Sequence, residues 1–390
     1  MQQDYLAESQ ARLEIAPGGS DTLVACVIEA AEAIEAGDRQ MAHVHLAGIL
    51  QHPQPGSTAV QRVAQIVAHS LLARLAGDLS GSGNLYQEAP HPQDMLAAFQ
   101  LLLHETPFIR FGYESANLAI MDGLVNEPCW HIIDIGIGSG TQWHHLLAAL
   151  AARGSNIPHV RLTGIDIPAP SPDPAQRLRA VADTLQRLAD ELSIPFVCDM
   201  IASPMEDITA TTLAMRADDV IAINAAFALH HIAAGDGVDD PARSRDAVLH
   251  RLHQLHPRLV TLTEPEADHN ALPFIPRVRE ALAHYLTVFD ELETQIPSDR
   301  CALAIIERAF FGREMLNIIA SEGTQRIERH ERHERWQRRL ATLAFAPIGL
   351  DHLAGYIAAN LSLVPPFDLC MDGGVLSLAW KGVPLVAVSA

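Results

Sequence analysis

The sequence predicts an α/β protein whose core is a doubly wound, mostly parallel β-sheet. Three observations predict this fold: a helical block at the start, a glycine-rich turn between a strand and a helix in mid-chain, and strands alternating with helices after it. The 390 residues, 48% of them hydrophobic, suffice for one large core with an appended helical part. The low aromatic content of 5% argues against a β-rich fold.

The first element is a helical block. Apolar residues recur at helical spacing in TLVACVIEAAEAIEAGD, MAHVHLAGILQ and AVQRVAQIVAHSLLARLAG, with loops predicted in HPQPGS and GDLSGSGNLYQEAPHPQ. We therefore expect a short N-terminal arm at residues 1–20 and a helical cap at residues 21–125. The sheet domain should follow at residues 126–390, with a helical insertion at about residues 275–345.

The sheet is expected to begin with HIIDIGIGSGTQW at residues 131–143. The apolar residues before Asp134 are typical of a buried parallel strand, and Gly136, Gly138 and Gly140 permit a sharp turn and close approach to a ligand. The next run, HHLLAALAARG, is typical of a helix. A strand, a glycine turn and a helix in succession indicate a nucleotide-cofactor loop, with a purely structural turn as the alternative.

The spacing of this motif distinguishes between cofactors. A pyrophosphate-binding loop has the order GxGxxG, whereas this one begins with an acid, as Asp-x-Gly-x-Gly-x-Gly. A carboxylate repels a pyrophosphate but suits positively charged amino and sulfonium groups, so a nicotinamide dehydrogenase is the most distant alternative. The motif resembles the loop of class I S-adenosylmethionine-dependent methyltransferases, which implies a Rossmann-like sheet of that type and S-adenosylmethionine as the cofactor.

Later strands are predicted in VRLTGID, PFVCD, DVIAINA and LVTLTEPE, and polar residues lie at their ends. Ligands of doubly wound sheets bind at the carboxyl ends of strands. The carboxylate of Asp166 is expected to accept hydrogen bonds from two ribose hydroxyl groups, and Asp199 with Met200 is expected to face the adenine edge. Asn224 ends the fourth strand. A lone acid at a strand end is usually a turn or helix cap, but three polar ends beside one glycine loop favour a binding site.

The cap is expected to complete the cofactor site. FIRFGYESAN, shortly before the first strand, contains Arg110, Tyr113 and Asn117, which are expected to close over the methionyl carboxylate. The expected cofactor-binding residues are Asp134, Gly136, Gly138, Gly140, Gln142, Asp166, Asp199, Met200, Asn224 and Arg110.

Residues after the fourth and fifth strands are expected to receive the acceptor. Glu264 and Glu266 flank Pro265, where two acids can orient and help to deprotonate an amine or guanidinium group. The expected catalytic residues are Glu264, Glu266, His269 and His230. The expected substrate-binding residues are Tyr113, Asn117, Phe227, His231 and Asn270. The alternatives are a helix cap or a local arginine pair for the two acids, and a buried structural role for the paired histidines.

Two C-terminal segments carry further predictions. Lys381-Gly382 separates two apolar runs, which predicts an antiparallel hairpin that closes the sheet edge.

The segment RIERHERHERWQRRL, residues 326–340, carries His330 and His333 three positions apart. Its alternating acids and arginines favour a solvated, salt-bridged helix over a metal or nucleic-acid site, so no metal is expected.

Charge and cysteine usage limit the partners and the compartment. The formal net charge of −20 and the pI near 5.3 oppose association with phosphate backbones and anionic membranes. The five cysteines lie far apart without CxxC pairs, and neither a secretory leader nor a membrane-spanning stretch is recognisable. We expect a cytoplasmic protein with a small-molecule acceptor and without a nucleic-acid or membrane partner; a homodimer is left open.

Several motifs, in order, resemble those of the GRAS-domain family. They are the leading TLVACVIEAAEAIEAGD, the central YESANLAIMDGL with HIIDIGIGSGTQW, VTLTEPEADHN with AHYLTVFDELE, and ERHERWQRRLATLAF with GVLSLAWKGVPL. They cover nearly the whole chain from about residue 21. The resemblance implies a bacterial member of the family, with a methyltransferase-like fold and a helical cap.

Two departures from the plant members of this family shape the expected function. Plant members are transcriptional regulators that generally lack the full glycine series and carry long N-terminal extensions, whereas this chain has all three glycines, Asp166 and a short N-terminal stretch. Both departures favour catalysis. We therefore expect an S-adenosylmethionine-dependent methyltransferase that N-methylates a small amine or guanidine. The alternative is a non-catalytic ligand-sensing or protein-interaction module.

Overall fold

A computed structural model describes residues 21–50, 58–77, 92–154, 156–169, 171–234 and 238–390. The arm predicted at residues 1–20, the HPQPGS loop and most of the loop predicted in GDLSGSGNLYQEAPHPQ lie outside the described residues.

An eight-stranded mixed sheet forms the centre of the molecule, in the order β3-β2-β1-β4-β5-β8-β7-β6. The strands are β1 (Cys129–Ile135), β2 (His159–Asp166), β3 (Phe196–Ala202), β4 (Val220–Ala226), β5 (Leu259–Pro265), β6 (Phe367–Asp372), β7 (Val375–Trp380) and β8 (Val383–Ser389). The first five pair in parallel, whereas β8 pairs antiparallel with both β5 and β7, and β6 pairs antiparallel with β7. The predicted α/β class is confirmed.

Helices of the described residues flank the sheet or pack together beside it. They are α1 (Asp21–Glu35), α2 (Arg39–Leu50), α3 (Ala59–Ala76), α4 (Pro92–Glu105), α5 (Phe108–Gly123), α6 (Thr141–Ala152), α7 (Gln176–Glu191), α8 (Arg245–His253), α9 (Phe274–Gln295), α10 (Arg300–Ile305), α11 (Gly312–Ala320), α12 (His333–Thr342) and α13 (Asp351–Asn360). A π-helical turn, Ile306–Phe311, joins α10 to α11. None of the described helices is long and apolar enough to cross a membrane.

The first helices and those that follow β5 share one apolar core. Val27 of α1, Leu71 of α3, Phe289 of α9 and Ile318 of α11 are all inaccessible to solvent in this core. Burial of such side chains is the main favourable term for packing helices from distant parts of the chain together. The division into a cap and a sheet domain stays a prediction.

The register of the parallel strands positions the candidate site. Asp134 on β1 lies opposite Gly164 on β2 and Asn224 on β4. Asn224 in turn lies opposite Thr261 on β5. The strands are buried on both faces, as parallel strands flanked by helices are, so these polar residues form a row inside the protein.

The C-terminal part is a three-stranded antiparallel meander, not the two-stranded hairpin that was predicted. The turn expected at Lys381-Gly382 is present between β7 and β8. A second turn at Gly373 and Gly374, with φ of 55° and 87°, adds the edge strand β6. The sequence did not predict β6 because this strand buries only Phe367 and so lacks a continuous apolar run.

Residues 326–332 form a buried, non-helical segment, so the solvated helix predicted for residues 326–340 is wrong over its first half. The helix α12 begins only at His333. The side-chain oxygen of Asn317 accepts hydrogen bonds at 2.9 Å from the backbone N–H groups of Glu328 and the residue before it. Hydrogen bonds to residues of other elements therefore replace the acid–arginine pairs within one helix that the charge alternation suggested.

Candidate functional site

The glycine loop, residues 136–140, joins the end of β1 to α6. Gly136, Gly138 and Gly140 have left-handed backbone conformations, with φ of 83°, 55° and 72°. A Cβ atom at Gly136 would lie 2.8 Å from the Cβ of Ala228, and one at Gly140 would lie 2.7 Å from a methyl group of Val181. A Cβ atom at Gly138 would meet nothing closer than 3.9 Å. Two of the glycines thus permit close packing, and only Gly138 borders open space.

Asp134 is buried, and protein groups occupy both of its carboxylate oxygens. The indole N–H of Trp143 donates to Oδ2 at 2.6 Å, and the amide of Asn224 donates to Oδ1 at 2.7 Å. Burial raises the pKa of Asp134 to about 7, although these hydrogen bonds act in the opposite direction. The carboxylate therefore fastens α6 and β4 to β1.

Amide side chains extend this network across the sheet and the cap. The amide nitrogen of Gln142 lies 3.2 Å from the side-chain oxygens of Asn117 and Asn224. Thr261 donates to the same oxygen of Asn224 at 2.8 Å. Asn117 donates to the backbone oxygen of Gln142 at 3.0 Å. Asn117 and Gln142, expected to contact substrate and cofactor, therefore satisfy each other inside the protein.

Asp166 lies at the end of β2, beside the glycine loop. Its carboxylate accepts a hydrogen bond from the N–H of Gly138 at 3.0 Å and forms an ion pair with Arg177 at 3.0 Å. Arg177 also donates to the backbone oxygen of Gly138 at 2.6 Å. The sequence analysis did not predict this role of Arg177, which lies on an amphipathic helix with two other exposed arginines.

Asp199 and Met200 do not end β3, so the predicted strand end is wrong. The strand continues to Ala202, which pairs with Asp166, whereas Asp199 pairs with a residue in the middle of β2. The side chain of Asp199 is 57% exposed and lies 3.5 Å from Arg161. Met200 packs in the apolar core behind the glycine loop.

The remaining predicted residues of the cap lie on α5. Burial, together with the charges of Asp134 and Asp166, raises the pKa of Tyr113. Arg110 is half-buried on the same helix. Phe227, in the turn after β4, has a φ of 54° and stacks on an aromatic ring of α5 with centroids 6.1 Å apart.

The residues present fit S-adenosylmethionine poorly. Both oxygens of Asp134, the acid expected to face the amino group, are occupied by protein donors. Asp166, the acid expected at the ribose, is paired with Arg177. Binding would require the buried Asp134, 3% exposed, to become accessible and Arg177 to move away from Asp166.

We expect Asp134→Asn to lower the free energy of unfolding by about 1–3 kcal/mol. An asparagine has one acceptor oxygen, so its NH₂ group would face either the donor of Trp143 or that of Asn224. Denaturant titration measures the loss, with Asp199→Asn on the exposed face of β3 as the control. Equal stability of the two variants would contradict a structural role for the Asp134 network.

A second group of polar side chains lies beyond the ends of β4 and β5. This histidine–glutamate cluster consists of His230, His231, Glu264, Glu328 and His330. His230 Nδ1 lies 2.5 Å from Glu264 Oε2. His230 Nε2 and His231 Nε2 each lie 3.4 Å from an oxygen of Glu328. Glu264 is 3% exposed and Glu328 is inaccessible, so the cluster is an interior feature.

The charges of the cluster depend on one another. Burial alone would lower the pKa of His230, but Glu264 and Glu328 outweigh burial and raise it to about 10. Burial alone would raise the pKa of Glu328, but His231 and His230 hold it well below its usual range. Buried carboxylates are therefore stabilised here by imidazole groups.

The two acids that flank Pro265 point to different partners. Glu264 accepts a hydrogen bond at 2.9 Å from the backbone N–H of Leu229, in addition to its contact with His230. Glu266 accepts hydrogen bonds at 3.0 Å from the backbone N–H and from Nδ1 of His333, at the start of α12. Glu266 thus caps a helix, which was the alternative considered for one of these acids.

His269 and Asn270 contact the buried segment at residues 326–332. His269 Nδ1 lies 2.8 Å from His330 Nδ1. Asn270 donates to Glu331 at 2.6 Å and accepts from Arg329 at 3.1 Å. Asn270, expected to bind substrate, is therefore held by charged groups of the protein.

The sequence analysis missed the residues of this segment as partners of the predicted ones. Glu328 and His330 meet His230, and Glu331 pairs with Arg245 at 2.9 Å. The signal was present, since ERHERHER alternates acids, arginines and histidines. Charge alternation does not by itself distinguish a solvated helix from a buried segment with distant partners.

Comparisons with known proteins identify the family. The model of the GRAS domain family matches residues 23–390. The Scarecrow-like transcription factor PAT1 of Arabidopsis thaliana is 31% identical over 372 residues, which cover 94% of this chain and 76% of that protein. The DELLA protein GAI of Solanum lycopersicum is also 31% identical, over 95% of this chain and 63% of its own length. The crystal structure of SCL7 in Oryza sativa superimposes with a TM-score of 0.80 at 27% identity, covering 94% of this chain and 98% of that one.

These relatives contradict the predicted activity. One is named as a transcription factor, whereas the plantazolicin methyltransferase BpumL matches with a TM-score of only 0.37 at 13% identity, which is too low to support an assignment. The predictions of an S-adenosylmethionine-dependent methyltransferase, of N-methylation and of a small-molecule acceptor without nucleic acid are therefore wrong. The catalytic roles expected of Glu264, Glu266, His269 and His230 depended on that reaction. The chain belongs to the GRAS domain family.

Proposed function

We propose that the protein is a non-catalytic regulatory module that acts by binding protein partners. The observation that carries this proposal is the state of Asp134. Its carboxylate, the first acid of the glycine motif, has its two oxygens committed to Trp143 and Asn224. Asp134 is also only 3% exposed. A carboxylate that is buried and hydrogen-bonded by the protein on both oxygens stabilises the fold and does not present its charge at an accessible surface.

The second acid of the motif supports the same proposal. Asp166 is bridged to the glycine loop by Arg177, which contacts both the Asp166 carboxylate and the Gly138 backbone oxygen. This arrangement closes the loop over the end of β2. A loop closed in this way favours a rigid scaffold that displays surface elements over a cofactor cleft.

The relatives add support at the level of the family. PAT1 is named as a transcription factor, and this chain spans 76% of it and 63% of GAI. A role in controlling gene expression is therefore part of the proposal. We also propose a cytoplasmic location, supported by five free cysteines in the described residues. A bacterial source stays a prediction.

Isolation of the tagged full chain from the cells that produce it tests the proposal. We expect a complex with a protein partner in stoichiometric amount, and the same complex with Asp166→Ala and with Gly138→Val. Circular dichroism establishes that both variants are folded, and the tag alone is the control. A chain that elutes without a partner, or a complex that needs S-adenosylmethionine, would contradict a protein-interaction module of this kind.

The S-adenosylmethionine site that the sequence predicted at the glycine loop is tested separately, by calorimetry. We expect no micromolar binding of S-adenosylmethionine or its demethylated product to the ligand-stripped protein, because Arg177 occupies Asp166. NAD is the negative control. Binding that is lost in Asp166→Ala would change the proposal to a ligand-sensing module, whereas absence of binding supports protein interaction alone.

A further inference from the structure

The histidine–glutamate cluster contains buried ligand atoms that lack hydrogen bonds. Both carboxylate oxygens of Glu328 and the Nε2 atom of His330 have no hydrogen-bond partner among the described residues. Glu328 is 0% exposed and His330 is 1% exposed. Their contacts are ion-pair distances of 3.4–3.7 Å to neighbouring imidazole groups, longer than hydrogen bonds. Burying such groups without a hydrogen bond costs free energy, so their arrangement points to a ligand that they share.

The spacing of these atoms suits a metal ion better than direct hydrogen bonds. His230 Nε2 lies 3.4 Å and His330 Nε2 lies 3.7 Å from Glu328 Oε2. Nitrogen and oxygen ligands about 2.0–2.1 Å from a tetrahedral zinc ion lie about 3.3 Å from one another. The three ligand atoms lie within 4.8 Å of one another.

The second ring nitrogens of the two histidines support the same arrangement. Histidines that bind a metal usually donate their other N–H group to a carboxylate or another acceptor, which fixes the ring. His230 Nδ1 contacts Glu264 at 2.5 Å, and His330 Nδ1 contacts His269 Nδ1 at 2.8 Å. Both rings are thus oriented with Nε2 directed at Glu328.

We propose that His230, Glu328 and His330 bind a divalent transition-metal ion, and that this ion is zinc. Imidazole and carboxylate ligands suit zinc, and a proton on either Nε2 atom is released to solvent when the ion binds. His231 Nε2 lies 3.4 Å from the other oxygen of Glu328 and is 16% exposed, so it lies on the more accessible side of the three ligands.

The ion would have a structural role that is independent of the proposed function. His230 lies in the turn after β4, whereas Glu328 and His330 lie in the buried segment between α11 and α12. One ion would therefore fasten that segment to the carboxyl end of the sheet. Binding to the folded but not the unfolded chain stabilises the fold.

Metal analysis of the full chain, purified without a histidine tag or chelator, tests the site. We expect about one equivalent of zinc by elemental mass spectrometry, and its removal by a chelator should lower the melting temperature. Cobalt(II) added to the stripped protein should give the visible absorption of a tetrahedral site. A protein without stoichiometric metal, and with the same melting temperature before and after zinc is added, would overturn the proposal.

Variants locate the ion. Glu328→Gln and His330→Gln should abolish stoichiometric binding, whereas Glu105→Gln and His352→Gln on exposed helix surfaces should keep it. His333→Gln tests a neighbouring group formed with Glu266 and Glu334. Metal lost in His333→Gln but kept in His330→Gln would overturn the assignment.

A further variant does not depend on deleting a ligand. Glu264→Gln keeps the shape of the side chain that orients His230 but removes its charge. We expect one equivalent still to bind, with an affinity about 10- to 100-fold weaker by competition with a chromogenic chelator. Unchanged affinity would contradict the orienting role and count against the site.

Discussion

Glu331→Ala is expected to lower the apparent free energy of unfolding by about 3–5 kcal/mol. Glu331 and Arg245 are both inaccessible and lie 2.9 Å apart. Removing the carboxylate leaves a buried guanidinium group without its counter-charge, and its desolvation is then uncompensated. Arg339 and Asn270 lose their contacts at 2.7 Å and 2.6 Å at the same time.

Denaturant titration followed by circular dichroism measures this loss. Glu334→Ala is the matched control, since Glu334 lies in the first turn of α12 with a side chain that is 49% exposed. We expect the control to change stability by no more than about 0.5 kcal/mol. Comparable effects of the two substitutions would contradict the buried ion pair.

The pH dependence of this pair has a definite sign. Burial alone would raise the pKa of Glu331, but Arg339 and Arg245 lower it to about 2. Its stabilising contribution is therefore present above the unfolded value near 4.5 and is lost as the pH falls from there through about 2. Glu331→Gln should remove this slope from the stability profile.

Glu291→Met is expected to stabilise the protein, by an amount on the order of 3 kcal/mol at pH 7. Glu291 is inaccessible on α9, and neither of its oxygens has a hydrogen-bond partner among the described residues. Burial and the charge of Asp290 raise its pKa from 4.5 to about 8. A methionine fills similar volume without the cost of burying a carboxylate.

The sign of the Glu291 effect can be checked with pH. Because its pKa is raised in the folded state, its contribution to stability is greatest below about pH 4.5 and is lost as the pH rises through about 8. The difference between Glu291→Met and the unchanged protein should therefore grow over this range. A constant difference would show that packing, not ionisation, causes it. Glu105→Gln, on an exposed position of α4, is the control.

The glycine motif predicted local structure well and chemistry badly. Gly136, Gly138 and Gly140 occur in the left-handed turn expected between β1 and α6. The motif could not reveal that Trp143 and Asn224 occupy Asp134, because those contacts depend on side-chain geometry across three elements. A left-handed glycine turn can serve a cofactor-binding loop or a purely structural loop, because both need the same backbone conformation.

The buried segment at residues 326–332 shows where sequence patterns fail. Charged residues are rarely buried, so the alternation of acids and arginines favoured a solvated helix. In the structure, Arg245 on α8 and Asn317 on α11 supply the partners. Their pairing with this segment is a tertiary property, which local periodicity does not encode.

The position of β8 within the sheet constrains the order in which this protein can fold during synthesis. β8 lies between β5 and β7, although its residues, Val383–Ser389, are made after those of both neighbours. While the ribosome still holds β8, β6 and β7 have no strand through which to join the parallel half, and β5 keeps an unpaired edge. Such an edge can recruit strands from neighbouring nascent chains. Chaperone protection of β5 is therefore most valuable until residues 383–389 have left the ribosome.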